Sequence, residues 1–193
     1  MRELSSKIGL TDGMRVLDLG GQPHIWDFVD KRLHITILNL PGVAEAGASS
    51  RHELRFVEGD ATHVEGLDGE RFDLVFSNSV IEHVGDGAKQ RAFASEVRRL
   101  GRAYWVQTPA DVWPIEPHCG MPLWWHYPDR LREYFIDEWR KKLPDWTDMV
   151  AGTTVLSRDE MIRLFPDGEI HTETMLGIPK SYVAYRTPSG IES

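Results

Sequence analysis

The stretch Met14-Arg-Val-Leu-Asp-Leu-Gly-Gly-Gln-Pro-His24 constrains this chain more than any other. Val16 and Leu17 continue an apolar run that opens after Gly13, the pattern of a short buried strand. The run ends at Asp18, and Gly20 and Gly21 let the backbone turn tightly with no Cβ to clash. Pro23 suits the first turn of a helix, where its missing N–H costs nothing. A strand, a glycine turn and a helix start together present free backbone N–H groups to a ligand. The competing reading is purely local, with Asp18 capping the next helix and the glycine pair serving as a turn.

The rest of the chain supplies the frame. A helix is predicted over residues 2–9 and a turn at Thr11-Asp12-Gly13. Strands follow at Arg15–Leu19, His34–Leu38 (ending at Asn39), Leu54–Val57 (closed by Glu58-Gly-Asp-Ala61), Phe72–Phe76, and Ala103–Val106 (stopped by Thr108-Pro109). Ile25–Arg32 has helical character, with Ile25, Phe28 and Val29 on one face. Pro41–Ser50 reads as a loop. Ala88–Leu100 is an amphipathic helix with Gly101 as its C-cap. Another helix starts at Pro128-Asp129, with Leu131, Tyr134, Phe135 and Glu138 at helical spacing. Ser157-Arg-Asp-Glu160 is a capping box that opens Met161–Phe165. The tail alternates as two strands, Glu169–Met175 and Ser181–Arg186, linked through Gly177-Ile-Pro179.

Strands alternating with helices predict an α/β fold: a Rossmann-like, doubly wound, mostly parallel seven-stranded sheet with an antiparallel C-terminal strand. Residues 1–193 read as one domain, with 109–150 as an aromatic-rich loop and helix cap on the substrate side. Five of the seven tryptophans, Trp113, Trp124, Trp125, Trp139 and Trp146, fall in that cap.

Charge narrows the partners. A net charge of -8 and a pI near 5.5 argue against nucleic acid or an anionic membrane surface. No apolar run approaches the ~20 residues that span a bilayer, and the N-terminal residues lack the apolar core of a secretion signal. Cys119 is the sole cysteine, so neither an intramolecular disulfide nor a cysteine metal cluster is available. A cytoplasmic protein is expected.

In a sheet of this kind, ligands sit beyond the carboxyl ends of the strands. The segment Gly20-Gly-Gln-Pro-His-Ile25 is not G-x-G-x-x-G, and no G-x-x-x-x-G-K-[ST] is present, so pyrophosphate binding is not the expected mode. Taken jointly, Asp18-Leu-Gly-Gly21, Gly59-Asp-Ala61 and Phe72-Asp-Leu-Val-Phe-Ser-Asn-Ser-Val-Ile-Glu-His-Val84 resemble a class I S-adenosylmethionine-dependent methyltransferase. Gln107-Thr-Pro-Ala-Asp-Val-Trp-Pro-Ile-Glu-Pro-His118 is similar to a branch of that family found among glycan and cell-envelope biosynthesis proteins. The resemblance covers roughly residues 14–128.

The resemblance implies S-adenosyl-L-methionine as cofactor. It assigns Asp18, Gly20 and Gly21 to the methionine end, with Pro23 beside them. Asn39 and Leu40 fall at the ribose, Asp60 and Ala61 at the adenine, Ser77 and Asn78 under the sulfonium, and His83 at the reaction centre. Three positions depart from the family pattern: Gln22 and His24 replace its later glycines, and Asn39 stands where it has a ribose-binding carboxylate. Neutral hydrogen bonds are weaker than charge-assisted ones, so Asn39 implies a looser ribose grip.

An alcohol acceptor needs a base to take its proton. The loop after the fifth strand offers His118 as first choice and His83 as second, with Glu116 orienting. Glu82, Trp113, Trp124, His126 and Tyr127 are assigned to the acceptor, the aromatics as a platform for the apolar face of a sugar. The alternative is that these aromatics form core or dimer contacts, and that Glu116 and His118 brace the loop. The spacing of Glu116, His118 and His126 matches no metal template, so no metal is expected. The leading expectation is an O-methyltransferase acting on a carbohydrate or other small polar acceptor, with the loop aromatics suited to a homodimer contact. A non-catalytic cofactor-binding module and an N- or C-methyltransferase on a small metabolite are the alternatives.

Overall fold

The computed structural model of this chain describes residues 1–43, 51–67, 69–116 and 118–188. Seven strands form one sheet: β1 (Arg15–Leu19), β2 (His34–Asn39), β3 (Glu53–Glu58), β4 (Phe72–Asn78), β5 (Gly101–Pro109), β6 (Glu169–Met175) and β7 (Ile178–Arg186). Their order is β3-β2-β1-β4-β5-β7-β6. Neighbours from β3 through β5 are parallel, and β7 runs antiparallel to both β5 and β6. The chain order reverses between β1 and β4, which opens a crevice at their carboxyl tips. This is the doubly wound architecture expected from the alternation of elements.

Both faces of the sheet are covered, which is why β1 and β4 read as continuous apolar runs. On one face Leu17 and Leu19 pack with Phe93 and Val97 of α2 (Gly87–Leu100) and with Met161 of α5 (Arg158–Leu164). On the other, Val16 packs with Trp26, Leu33, Ile35 and Phe76, closed over by Leu4 and Ile8 of α1 (Arg2–Ile8). The Ser157 capping box forms as the sequence predicts.

Several local expectations change. Ile25–Arg32 is not an amphipathic α-helix; the link from β1 to β2 is a 3₁₀ helix, Pro23–Phe28, after which Val29 is extended. Phe28 is 77% exposed, whereas Trp26 is buried, because the Trp26 indole is claimed by Asp18 and by the core and sets which face turns inward. The predicted loop at Pro41–Ser50 lies partly outside the described residues, which resume at 51. Gly101 caps α2 as predicted, its N–H donating to the Val97 carbonyl, but not in a left-handed turn. It has φ -98 and passes straight into β5, where a Cβ would lie 2.5 Å from the Ala103 carbonyl oxygen and 2.9 Å from Val75. Thr108 and Pro109 do not stop β5 either, but pair with Tyr182 and Ser181 of β7. In the cap, α3 (Asp129–Arg140) packs on α4 (Pro144–Gly152), a helix that its sparse apolar pattern did not reveal. Among the described residues, no helix is long and apolar enough to cross a membrane.

The terminal hairpin is tighter than predicted. Met175 pairs with Ile178, leaving Leu176 and Gly177 as a two-residue turn with φ of 53° and 80°. Two successive positive φ values suit Asn-Gly, and leucine pays a steric cost there that asparagine largely avoids. Leu176 is 94% exposed, so it returns little packing energy. Leu176→Asn is expected to raise the stability of the protein by about 1 kcal/mol, read as a higher midpoint in urea at unchanged slope.

Candidate functional site

The carboxyl tips of β1, β2, β3 and β4 enclose a cleft of about 250 Å³ lined by Gly20, Leu38, Asn39, Leu40, Val43, Asp60, Ala61, Val80, His83 and Val84. Its walls are mostly apolar and three polar side chains, Asn39, Asp60 and His83, stand in them. Gly20 has φ +74, and a Cβ there would meet Val80 at 2.6 Å, so the turn after β1 is packed directly on the segment after β4. The Asn39 side-chain amide donates to the Gly21 carbonyl (3.1 Å), tying β2 to that turn. Asp60 accepts from both the backbone and the hydroxyl of Thr62 (2.7 and 2.8 Å), with the Lys89 ammonium 3.6 Å away. Partial burial raises its pKa, but the Thr62 bonds and Lys89 outweigh that and hold it below the usual carboxylate range.

Asp18 lies beneath the same turn and is fully buried. The Trp26 indole N–H donates to its Oδ2 (2.7 Å), while Oδ1 is buried with no partner. A Cβ on Gly21 would fall about 1.9 Å from the carboxylate, so only glycine lets the turn close over it. Burial pushes the Asp18 carboxyl up to about 7, against the smaller opposing effect of the Trp26 bond.

Beside the cleft stands a chain of polar side chains. The Glu116 carboxylate accepts from the backbone N–H groups of His118 and Cys119 (2.7 Å each) and from His118 Nδ1 (2.6 Å). His118 Nε2 faces His83 Nε2 at 2.9 Å, with the rings edge to face. His83 Nδ1 lies 3.3 Å from the Thr153 hydroxyl, which itself donates to the Met149 carbonyl. Glu116 accepts from His118 Nδ1, and one of the two facing Nε2 atoms donates to the other. The Glu116 bond raises the His118 pKa more than burial lowers it, while burial and then the neighbouring His118 lower that of His83. Burial raises the Glu116 pKa, but its bonds to His118 and Cys119 dominate and hold it low.

Glu82 is buried behind His83. One of its oxygens accepts from Thr108 (3.0 Å), the other is buried without a partner, and burial pushes its carboxyl up to about 7. A carboxylate oxygen of Glu82 and one ring nitrogen each of His83 and His118 all lie within 4.8 Å of one another.

A second, larger cleft of about 730 Å³ opens at the tips of β4 and β5 and is lined by residues including Asn78, Ser79, Gln107, Trp113 and Lys180. Ser79, the residue between the two clefts, has φ 57, unusual for a residue other than glycine. It is held there by the Gln107 side chain (2.9 Å) and the Gln107 carbonyl (3.0 Å).

Not every expected site residue reaches a cleft. Ser77 is buried and its hydroxyl donates to the Leu19 carbonyl (3.1 Å), which ties β4 to β1. Pro23 is buried at the first position of the 3₁₀ helix, fixing the backbone. Glu82 has no exposed surface to offer an acceptor. Trp124 is not an open platform: it is buried against Trp139, Tyr127 and Phe135 at centroid distances of 5.2, 5.8 and 6.3 Å. No residue of α3 is buried, so the cap has few other groups to form a core and recruits these rings. Tyr127 belongs to the same cluster, and His126 is exposed. Trp113 does line the second cleft. Residues that sequence reasoning missed are Trp26, Thr108 and Thr153, whose roles arise from pairings across the fold that no local spacing announces.

Residues 33–103 match a family model described as a methyltransferase domain, a little over a third of the chain. No curated protein matches it. Among solved structures, the chain is similar to an O-methyltransferase family protein from Burkholderia thailandensis at 15% identity and TM-score 0.57, covering 90% of this chain and 51% of that one. It is similar to phosphoethanolamine N-methyltransferase 2 from Haemonchus contortus, crystallised with S-adenosyl-L-methionine, at 15% identity and TM-score 0.57, covering 90% of this chain and 38% of that one. A methyltransferase from Methanosarcina mazei described as S-adenosylmethionine-dependent matches at 13% identity and TM-score 0.54, covering 91% of this chain and 92% of that one. At these identities the likeness shows the fold, which is the α/β methyltransferase fold. The chain spans about half the length of the Burkholderia protein.

Asp18 generates a test. A carboxyl near 7 in the folded state and near 3.8 unfolded binds its proton more tightly when folded, so its contribution to stability falls as pH rises from about 4 to about 7. Asp18→Asn keeps an acceptor for Trp26 and removes the titration. The variant is expected to gain on the wild type across that window, by roughly 1–3 kcal/mol at pH 7.5, and to run parallel to it above. Urea melts across pH check this.

Proposed function

We propose that the chain is an S-adenosylmethionine-dependent methyltransferase that methylates a hydroxyl of a carbohydrate or similar small polar acceptor. The observation that carries this reading is the pair of clefts on either side of residues 78–83, one built for a nucleoside and one opening toward the cap. The donor fits the residues present. Leu40, Ala61 and Val80 offer apolar walls to a flat base, and ionised Asp60 is an acceptor for an exocyclic amino group. Asn39, with its nitrogen turned to Gly21, keeps its oxygen for a ribose hydroxyl. The unpartnered Asp18 oxygen under Gly21 suits a nearby ammonium, which would lower a pKa that burial has raised. S-adenosylmethionine supplies a methyl group made electrophilic by its sulfonium.

The chain's own part is alignment and proton handling. Asn78 and Ser79 border the second cleft beside the first, and Trp113 gives its wall an aromatic face for a sugar. Methylating a hydroxyl releases a proton, so a reactive acceptor has to meet a group that makes it nucleophilic. His83 lines the donor cleft with His118 and Glu116 behind it, and this cluster is the group so placed. The resemblance of the 107–118 stretch to glycan and cell-envelope proteins favours a sugar, and the acidic surface favours a small or glycan acceptor over nucleic acid. A nitrogen acceptor would need this cluster far less.

Calorimetric titration with S-adenosylmethionine is expected to show stoichiometric binding, weakened about tenfold in Asp60→Ala through loss of a charge-assisted hydrogen bond worth on the order of 1.5 kcal/mol. His83→Ala and His118→Ala are expected to keep that binding and to lose methyl transfer to a panel of sugars. Absence of donor binding would end the reading, and transfer undiminished in both histidine variants would move it to a nitrogen or carbon acceptor.

A further inference from the structure

We propose that Glu82, His83 and His118 form a binding site for a divalent transition-metal cation of the zinc class. Its use rests on the methyl-transfer reading, but its existence does not. The two ring nitrogens that face each other are 2.9 Å apart, and a Glu82 oxygen and one nitrogen of each ring all lie within 4.8 Å of one another. Two imidazoles and one carboxylate are the ligand set of open zinc sites, which keep a position for water or substrate. Two nitrogens on a tetrahedral zinc, at about 2.0–2.1 Å each, stand roughly 3.4 Å apart. The pair therefore has only to part by about half an ångström for the cation to take the place of the shared proton.

The surroundings point the same way. Metal-bound histidines use their second nitrogen on a carboxylate, carbonyl or hydroxyl that fixes the ring. Both rings here are held so: His118 Nδ1 by Glu116, itself anchored by two backbone N–H groups, and His83 Nδ1 by Thr153. Glu82, buried with one oxygen lacking any partner, is a polar atom that folding leaves unsatisfied and that a cation would satisfy. A nitrogen-rich set of this kind disfavours magnesium and calcium, which want oxygen. Since His83 also lines the donor cleft, a cation here sits where an acceptor oxygen would arrive, and as a Lewis acid it would hold that oxygen and ease the loss of its proton to water.

The test uses the whole chain stripped with chelator and titrated with cobalt(II) chloride, followed by visible absorption, and with zinc chloride, followed by calorimetry. Stoichiometric uptake is expected, with cobalt bands of a low-coordinate site. His83→Gln and His118→Gln should each abolish it, Glu116→Gln should weaken it about 10–100-fold, and His34→Gln, at the far end of β2, should leave it unchanged. No stoichiometric uptake, or uptake indifferent to both ligand variants, would overturn the site. Donor binding is measured on the same samples. Metal uptake without donor binding would sink the methyltransferase reading and keep the cation site, whereas donor binding without stoichiometric metal uptake would sink the cation site alone.

Discussion

A buried carboxylate governs the middle of this protein. Asp18 ends the central strand, has no exposed surface, and is held on one oxygen by the Trp26 indole. Water is excluded from it by the glycine turn, which closes over the carboxylate only because Gly21 has no Cβ. The same turn is bound from β2 by Asn39 and rests on Val80 after β4. Three strand tips are therefore drawn to one point around one desolvated group, and the first cleft is the space that remains. An uncompensated buried charge is costly, so the arrangement makes sense as a place that a cationic ligand completes.

A second buried acid, Glu82, does the same for the other side of the cleft. It joins the segment after β4 to β5 through Thr108, and its backbone carbonyl accepts from the Thr154 N–H (2.7 Å) just after α4. The histidine pair sits against it, braced from the cap by Glu116 and from the end of α4 by Thr153. The first cleft and the histidine cluster thus share a wall that includes Val80, His83 and Val84.

The sheet was legible because its central strands are buried on both faces and carry the pattern in sequence: β1 was read to the residue, and β2, β3 and β4 to within two at either end. The glycine turn, Asp60-Ala61 and Glu82-His83 were legible as motifs. Their partners were not. Trp26 reaches Asp18 through a 3₁₀ helix whose inward face an α-helical period misassigns, and His83 meets His118 across 35 residues of chain. The cap was hardest to read. Helical spacing places Phe135 and Trp139 one turn apart on α3, but does not say that they pack with Trp124 rather than presenting a platform. Aromatic richness signalled a special region but not which rings face a ligand. Proline misled at Pro109, where β5 runs to its last register position before the missing N–H matters.

The most direct measurement of the central claim is a crystal structure of the chain with S-adenosylhomocysteine. The account predicts the base between Leu40, Ala61 and Val80 with its amino group on Asp60, and the amino-acid end over Gly20 and Gly21 toward Asp18. Density for the nucleoside anywhere else, or a cleft that stays closed at saturating ligand, would contradict it.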